Sequence, residues 1–558
     1  MKRLVTLLVA VVTLSACAGL PTSTDVERAS DATTEGDLIT YQPAPPAPGA
    51  EPEEVVAGFL DAMLAYPVSS GTASAYLSSD AAADWAAGDG VRIYRSPSIR
   101  VGEVGETLAL VDLELQESGR LDRNGHFIAS DGPSSVALQL VRDAGEWRIS
   151  NPPPGLAITR GYFETYYEAR DVFLFDVEGD ELVADPVHLQ AGDRLATSLT
   201  AALVAGSRPR VAGETRTYVP DASDWKPAVT VAEGRATVEF DTSLTTLDLE
   251  VRRRLSAQVV RTLGQVPDVE VVRIVGSDGP LVAGGTADQP VTAWARFDPP
   301  PPTGRPGAVV DDVVSTLAGG VATPVEGLPD DVAATAILVA TRPGAWAAVG
   351  VDGVVRVVDA AGERVEQVVD PVSLSWDVDG RLWLVDRPQG VLRVRLVSGS
   401  GVVAVPTDAT LTGVTAFALD PGGTRYAVTR GAGDVLAGAV TGAGDRDTVP
   451  RLSAPAQIAP DVANPAGVVW IGASRIAVVG DGETGRQVYR ASIDGSPSDG
   501  SAGTAPRLPN VAIASVAAGV GDDPDLYVTD DRSRLWYLPA GGAWRLLGVT
   551  ARGLTSGR

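Results

Sequence analysis

The chain has 558 residues, with 45 Lys+Arg against 71 Asp+Glu for a formal charge of −26, and its 44% hydrophobic and 21% charged content excludes wholesale disorder. At roughly 100–200 residues per domain this length predicts about three to five domains, each able to bury its own core. The acidity speaks against nucleic acid or anionic lipid as a partner, because nothing offsets phosphate repulsion, and one Cys with two His removes most metal and thiol chemistry.

The chain opens with Met1-Lys2-Arg3 and a mostly apolar run over 4–16 that ends at Cys17. Two cations followed by such a run have the form of a signal peptide, and the run is too short to span a bilayer. Leu14-Ser15-Ala16-Cys17 resembles the bacterial lipobox. The resemblance implies cleavage between Ala16 and Cys17, a thioether-linked diacylglyceryl group on Cys17, and a palmitate-type acyl chain on the new amine. Two or more acyl chains, at about 0.8 kcal/mol per buried methylene, anchor a protein stably without a membrane-spanning helix. Residues 1–16 are thus expected to be a leader, and everything beyond to lie on the extracytoplasmic face of the cell membrane. Residues 17–52, ending in Pro43-Ala44-Pro45-Pro46-Ala47-Pro48, have the composition of an extended tether.

A first α+β module is expected over 53–190. Val55, Val56, Phe59, Leu60, Met63 and Leu64 share one helical face before Tyr66-Pro67, and a short helix is expected at 81–87. Strand patterns follow at 91–95, 98–104 and 107–115. A hairpin turn at Asp122-Arg123-Asn124-Gly125 leads into 126–130, 135–142 and 145–150. A helix pair before a curved antiparallel sheet suggests a cystatin- or NTF2-like fold. The aromatic cluster of Tyr162, Phe163, Tyr166, Tyr167, Phe173 and Phe175 reads as a packed inter-domain strand rather than a ligand-stacking surface.

A second module is expected over 191–298. Leu195, Leu199 and Leu203 recur every four residues before a Gly206 cap. Strands at 215–219, 228–232 and 235–240 precede a helix over 247–263 with Val251, Leu255, Val259 and Leu263 aligned, then a strand at 269–275. Val259-Val260-Arg261-Thr262-Leu263-Gly264-Gln265-Val266-Pro267-Asp268-Val269 resembles the helix-to-strand signature of GerMN domains, which implies a non-catalytic envelope-binding fold.

Pro299-Pro300-Pro301-Pro302 opens a linker, placed at 299–310. From 311 to 558 the composition turns to Val-, Gly- and Asp-rich strands in a loose repeat. Comparable strands stand at Ala345–Gly350, Leu382–Asp386, Arg425–Arg430, 475–480 and Leu526–Asp530. One strand of this kind about every 40–50 residues, with Asp-Gly or Gly-Gly turns, predicts a β-propeller of five or six blades, the alternative being two sandwiches.

Lipobox, helix-and-sheet module, GerMN-like module and propeller, in that order, resemble the LpqB family of actinobacterial lipoproteins. The resemblance implies a partner: the extracellular domain of the sensor histidine kinase MtrB of a two-component system.

Little in the chain has the form of chemistry. His126 and His188 stand without His, Cys or carboxylates at ligand spacing, which points to surface or packing roles. No nucleophile elbow or P-loop is present, and no catalytic residue, metal or cofactor is expected. Asp377, Asp379, Asp386, Asp420, Asp481, Asp530 and Asp531 are conceivable partners for a propeller glycosidase, yet most stand beside Gly or at strand ends, where Asp makes turns. Asp377-Val378-Asp379-Gly380 resembles part of a calcium loop without its later bidentate Glu. Asp522-Asp523-Pro524-Asp525 has the composition of an exposed loop. Long Gly-, Pro- and Ser-rich loops at 441–466 and 483–510 offer recognition surface. The expectation is a lipid-anchored extracytoplasmic scaffold that binds a kinase ectodomain and modulates its signalling. The alternatives are a cell-wall glycan-binding lipoprotein and a propeller glycoside hydrolase.

Overall fold

The computed structural model describes residues 40–557 except 131, 207–214, 221–226, 299–304, 399–400, 432, 443–447, 483–484, 497–506, 509–510, 520 and 522–523. The leader, Cys17 and the Pro299–Pro302 run lie outside the described residues. Residues from Gln42 onward form one compact unit.

The first helix, Pro52–Ala62, starts where the sequence provides for it. Pro52 supplies the preset φ of the first turn, and Glu51 and Glu54 form a capping box in which the Glu51 N–H donates to Glu54 Oε2 at 2.9 Å. Its apolar face, with Val55, Val56, Phe59 and Leu60 buried, lies on a sheet ordered Glu146–Ile149, Gly132–Asp143, Leu108–Leu121, Val91–Val104, Leu156–Thr159. The pairing is antiparallel except for Val91–Tyr94 against Leu156–Thr159. The two strands expected at 91–95 and 98–104 are one strand with a register shift between Tyr94 and Pro97. Pro97 is tolerated because the parallel neighbour ends at the level of Tyr94, which leaves this stretch at the sheet edge. The second helix is shorter than expected, Ser79–Asp84. Trp85 leaves it in extended conformation, packs its ring 5.4 Å from Phe59, and donates its indole N–H to the Pro153 carbonyl at 3.0 Å.

The aromatic stretch is a helix, Arg160–Tyr166, followed by a strand, Tyr167–Asp176, that pairs with Leu182–Gln190. The sequence places 53–190 in the first module. The packing differs, because Val172, Leu174, Val187 and Leu189 share a core with Leu199, Leu203, Leu255, Val259 and Leu263. That strand pair therefore starts the second module. It carries the two helices Leu195–Ala205 and Leu249–Leu263, and Gly206 closes the first of these at φ +81° as expected. Arg235–Glu239 and Val271–Gly276 pair in parallel across the second helix, a βαβ crossover. The strand expected at 215–219 is confined to Thr215–Arg216.

The rest of the chain is a ring of six blades, counted among the described residues. Five have their innermost strands at Ala336–Arg342, Pro371–Trp376, Val414–Leu419, Ala463–Trp470 and Ile513–Ala518. The five strands marked in the sequence are the second strands of these blades. The sixth blade is Gly307–Val310, Val313–Ala318 and Val321–Pro324, and its innermost strand comes from the other end of the chain. The last strand, Arg545–Thr555, pairs through its first half with Arg534–Leu538 and through its second half with Gly307–Val310. The linker expected at 299–310 therefore gives up 307–310, all four buried, to the ring. Much of the loop expected at 441–466 is also blade: Arg451–Leu452 and Ala456–Ile458 pair with Val435–Thr441. Likewise Gly485–Ser492, within 483–510, is the third strand of its blade. In such short strands backbone pairing overrides a Gly- and Ser-rich composition.

Neighbouring blades are stitched alike. The indoles of Trp376 and Trp470 donate to the Ala340 and Ala418 carbonyls of the preceding innermost strand, at 3.3 and 3.2 Å. The Thr555 hydroxyl reaches the other way, donating to the Val339 carbonyl of the following innermost strand. Beside it, the Arg552 guanidinium donates to the carbonyls of Ala333, Ala334 and Ala336 and pairs with Asp312. Truncation after Thr550 strips one blade of its innermost strand and orphans these acceptors. It is expected to lower unfolding stability by at least about 3 kcal/mol, read as an earlier and broader urea transition by circular dichroism.

Candidate functional site

Three places could carry function: the acidic turns of the propeller, its central channel, and the junction where the modules meet.

The acidic turns are structural. Asp377 accepts from the Arg381 N–H at 2.8 Å, from Arg381 Nε at 2.7 Å and from the Trp383 indole at 3.0 Å. Asp530 accepts from the N–H groups of Arg532 and Arg534, from Arg534 Nε at 2.7 Å and from the Trp536 indole at 3.1 Å. The shared spelling Asp-x-x-x-Arg-Leu-Trp is thus a hairpin lock in which one carboxylate satisfies backbone, guanidinium and indole together. Burial opposes ionisation of Asp530, yet these donors hold its pKa below the usual value. Asp420 caps its turn through the Arg425 N–H and the Thr424 hydroxyl. Asp386, fully buried, accepts from Arg393, Arg395 and the Val369 N–H. Asp481 is bonded by Asn464 and lies 3.6 Å from Arg486. Asp379 lies 3.5 Å from Arg381, which puts both acids of the calcium-loop-like segment against arginine. Asp531 is exposed, its backbone N–H donating to Ala512. Asp522 and Asp523 lie outside the described residues, and Asp525 accepts from the Tyr537 hydroxyl at 3.1 Å. Among the described residues no group of three or more His, Cys, Asp or Glu is arranged to hold a metal ion.

The channel along the propeller axis, about 290 Å³, is lined by innermost strands bearing small and apolar side chains such as Leu338, Ser375, Val516 and Leu554. No ionisable side chain is part of that lining among the described residues. The paired carboxylates of a glycosidase are not placed there.

The junction is built on one strand. Leu182–Gln190 is buried at every position but the last and touches all three modules. On one side it meets the Asp122–Gly125 turn: the His188 N–H donates to the Gly125 carbonyl at 2.8 Å. Gly125 has φ +87°, and a Cβ there meets the His188 carbonyl at 2.8 Å, so both conformation and approach require glycine. Asp122 accepts from the His126 N–H, and its Oδ2 lies 3.2 Å from His126 Nδ1. The other ring nitrogen of His126 points at Asp185, on the strand, at 3.5 Å. Burial works against the charged imidazole, but hydrogen bonds and charges from Asp122 and Asp185 prevail and push the His126 pKa up to about 9. Toward the propeller, His188 Nε2 lies 2.8 Å from Asp494 Oδ2, a carboxylate with no exposed surface. The His188 ring also packs on Phe127 and Phe163, with centroids 6.0 and 5.2 Å away.

The packing role expected of the two histidines is what the structure shows. His126 has one carboxylate partner four residues away, Asp122, but its other, Asp185, and that of His188, Asp494, come from 59 and 306 residues away in the chain, a separation no local spacing reveals. The aromatic cluster packs as expected: Tyr66 stacks on Tyr166 at 4.5 Å, and Phe175 meets Phe297 at 5.2 Å. Sequence reasoning passed over the amides that cover the open edge of Tyr167–Asp176. Gln265 pairs with both backbone groups of Asp171, at 3.0 and 2.6 Å, while Thr262 and Gln258 bond the N–H and carbonyl of Phe173. Polar residues inside the GerMN-like signature are the available sign of this edge cover.

Beside the junction strand a cleft of about 610 Å³ opens between Phe163–Asp171 and the blade that starts with Ala463–Trp470, where Ser474, Arg475, Arg490, Ser492 and Ser496 form the wall. Asp171 stands at the seam. Surrounding protein raises its pKa, against the opposing influence of a Ser474 hydrogen bond and the charges of Arg425 and Arg475.

Comparison with known proteins follows the same divisions. Residues 45–164 match the model of the lipoprotein LpqB N-terminal domain, 166–281 one described as sporulation and spore germination, and 311–551 the lipoprotein LpqB beta-propeller domain. The first boundary falls where the packing puts it, just before Tyr167. Lipoprotein LpqB of Cutibacterium acnes is 30% identical over 314 residues, 55% of this chain and 53% of that protein, so the match spans about half of that relative. The Thermobifida fusca protein of that name is 27% identical over 88% of this chain and 89% of its own length. That of Mycobacterium tuberculosis is 27% identical over 78% and 80%. A Staphylococcus aureus virginiamycin B lyase aligns over 42% of this chain and 76% of its own at 14% identity, and its TM-score of 0.28 supports no functional comparison.

Two outcomes test the junction. His126 binds its proton more tightly folded than free imidazole does near 6.5, so its stabilisation is complete below about pH 6.5 and is lost as pH rises through about 9. The thermal midpoint of the native chain is therefore expected to exceed that of His126→Gln at pH 6 and to converge on it above that window. For the propeller contact, His188→Ala and Asp494→Ala each remove one side of a buried hydrogen-bonded pair and are expected to cost about 1–3 kcal/mol. A double-mutant cycle by urea unfolding is expected to return a coupling of about 1–3 kcal/mol.

Proposed function

For a chain that belongs to the LpqB family of lipoproteins, we propose a membrane-tethered scaffold that binds the extracellular domain of an MtrB-like sensor histidine kinase and modulates its signalling. The observation that carries this reading is the junction itself. Buried pairs at His126 and His188 hold three modules as one body, a form suited to presenting a broad fixed surface rather than to turning over substrate. In this reading cleavage after Ala16 exposes Cys17 for lipidation, and the Pro-rich segment up to residue 52 holds the body away from the bilayer. Among the described residues no helix is long and apolar enough to cross a membrane, so attachment through acyl chains supplies the anchor. Confinement at the membrane raises the effective concentration of scaffold and kinase, which lets a weak interface suffice.

The reading is tested by capture and by fractionation. The full-length chain in detergent is expected to retain the kinase ectodomain, and Cys17→Ala is expected to move the protein from the membrane pellet to the soluble fraction and to reduce its effect on kinase autophosphorylation in cells. Failure to retain the ectodomain at about 100 μM, well beyond a weak interface of about 1 μM, or a Cys17→Ala protein still wholly in the pellet, overturns it.

A further inference from the structure

The two smaller modules hold one end of the propeller. Ser474, which bonds Asp171, and Asp494, which meets His188, stand in the turns after the first and third strands of their blade. Antiparallel strands alternate in direction, so the turns after second and fourth strands lie at the opposite end. At that end, three turns along two neighbouring blades each set an exposed valine beside an exposed aspartate: Asp312-Val313, Val351-Asp352 and Val369-Asp370. Hydrogen bonds run from one turn to the next. The Arg552 guanidinium ties Asp312 to the Ala333 and Ala334 carbonyls. The Val351 N–H donates to Thr335 at 3.0 Å, the Val368 N–H to Gly353 at 2.9 Å, and the Arg387 N–H to Val369 at 3.0 Å. The three valines therefore share one continuous strip instead of lying scattered over the surface.

The charges of this strip point one way. Asp312 pairs with Arg552 at 2.6 Å, Asp331 with Arg356 at 3.2 Å and Asp370 with Arg387 at 2.8 Å. In all three pairs the carboxylate is the outer member: the aspartates are 53–79% exposed and the guanidiniums 23–39%. Asp352 adds another exposed carboxylate, which accepts the Val354 N–H at 3.0 Å. The pattern reverses on either side of the strip, where Arg393 lies outside a buried Asp386 and Arg534 outside a buried Asp530. At the junction end of the propeller, Asp377 and Asp420 are likewise buried within their hairpins. Aliphatic surface fringed by outward carboxylates is thus confined to one bounded stretch.

We infer that this strip docks the kinase ectodomain through a patch of aliphatic side chains framed by lysine or arginine. The inference rests on the partnership proposed above and adds the place and the chemistry of the contact. The valines supply apolar area for the partner to remove from water, while the outward carboxylates pair with its cations and steer the encounter. An anionic bilayer repels the same fringe, which turns this face toward protein and away from lipid. Because the smaller modules occupy the other end of the propeller, a partner seated here clears them.

The test is titration of the immobilised full-length chain, in detergent, with the kinase ectodomain. The double substitution Val351→Ser with Asp352→Asn is expected to weaken binding at least about ten-fold, and Asp312→Asn with Asp370→Asn to do the same. Thermal midpoints are expected to hold, since all four positions are exposed and asparagine keeps an acceptor in each turn. Either pair suffices if the other fails to fold. Val403→Ser, on the outermost strand of the next blade, is expected to bind as the native chain does. Raising salt from about 0.05 to about 0.5 M is expected to weaken the native complex at least about five-fold, and the Asp312→Asn, Asp370→Asn complex less, because exposed charges are screened. Native binding that neither pair diminishes, that salt leaves unchanged, or that Val403→Ser weakens equally overturns this inference and leaves the partnership standing. No binding by the native chain overturns the partnership and the inference together.

Discussion

The buried strand Leu182–Gln190 is the constraint from which the arrangement of the first two modules and the propeller follows. It cannot be removed from water with Asp185 and His188 on it unless each polar group meets a partner, because an unsatisfied polar or charged group in low dielectric costs free energy. The partners come from opposite directions: His126 from the first module's turn and Asp494 from the propeller. Two buried histidine–carboxylate contacts thus do what an extended apolar interface does elsewhere, and they do it with geometric specificity. A shift of either neighbour strands a charge, so the modules have one low-energy arrangement rather than a range. The chain spends its only two histidines here.

The propeller obeys a related economy. A ring of sheets has no natural end, and the two termini of the ring must be joined by something other than covalent continuity. Here Arg545–Thr555 is long enough to be the outer strand of the Ile513–Leu538 blade and the inner strand of the sixth. Its side chains Arg552 and Thr555 then fasten it to the blade that starts with Ala336–Arg342. The acidic residues that dominate the charge serve the same end. Asp377, Asp420 and Asp530 each close a hairpin by accepting several donors at once, and such satisfied carboxylates are poor candidates for proton transfer.

The junction and the cleft are the same feature seen from two sides. The cleft lies between Phe163–Asp171 and Ser474–Ser496, and the Gln265 amide holds both backbone groups of Asp171 at its edge. Aromatic rings and arginines that seal the contact also line the opening.

How much was legible follows from the range over which each feature is encoded. Amphipathic periodicity and turn residues act over a few positions, so the first helix, the long helix ending at Leu263, the Gly206 cap and the five second strands of the blades stand in the sequence. The turn role of the aspartates is equally local, since Asp377 reaches only to Trp383. The lipobox too is a contiguous signal. What the sequence could not supply lies across the fold. The sixth blade is invisible because its inner strand and its remaining strands are separated by the whole ring. The boundary at Tyr167 is set by which core buries Val172 and Leu174, not by any change in composition. The partners of His126 and His188 are chosen by proximity in three dimensions. Local pattern determined which elements exist, and only the tertiary structure decided which charges meet, since a buried ion pair is specified by the shared cost of desolvating both members and that cost has no counterpart along the chain.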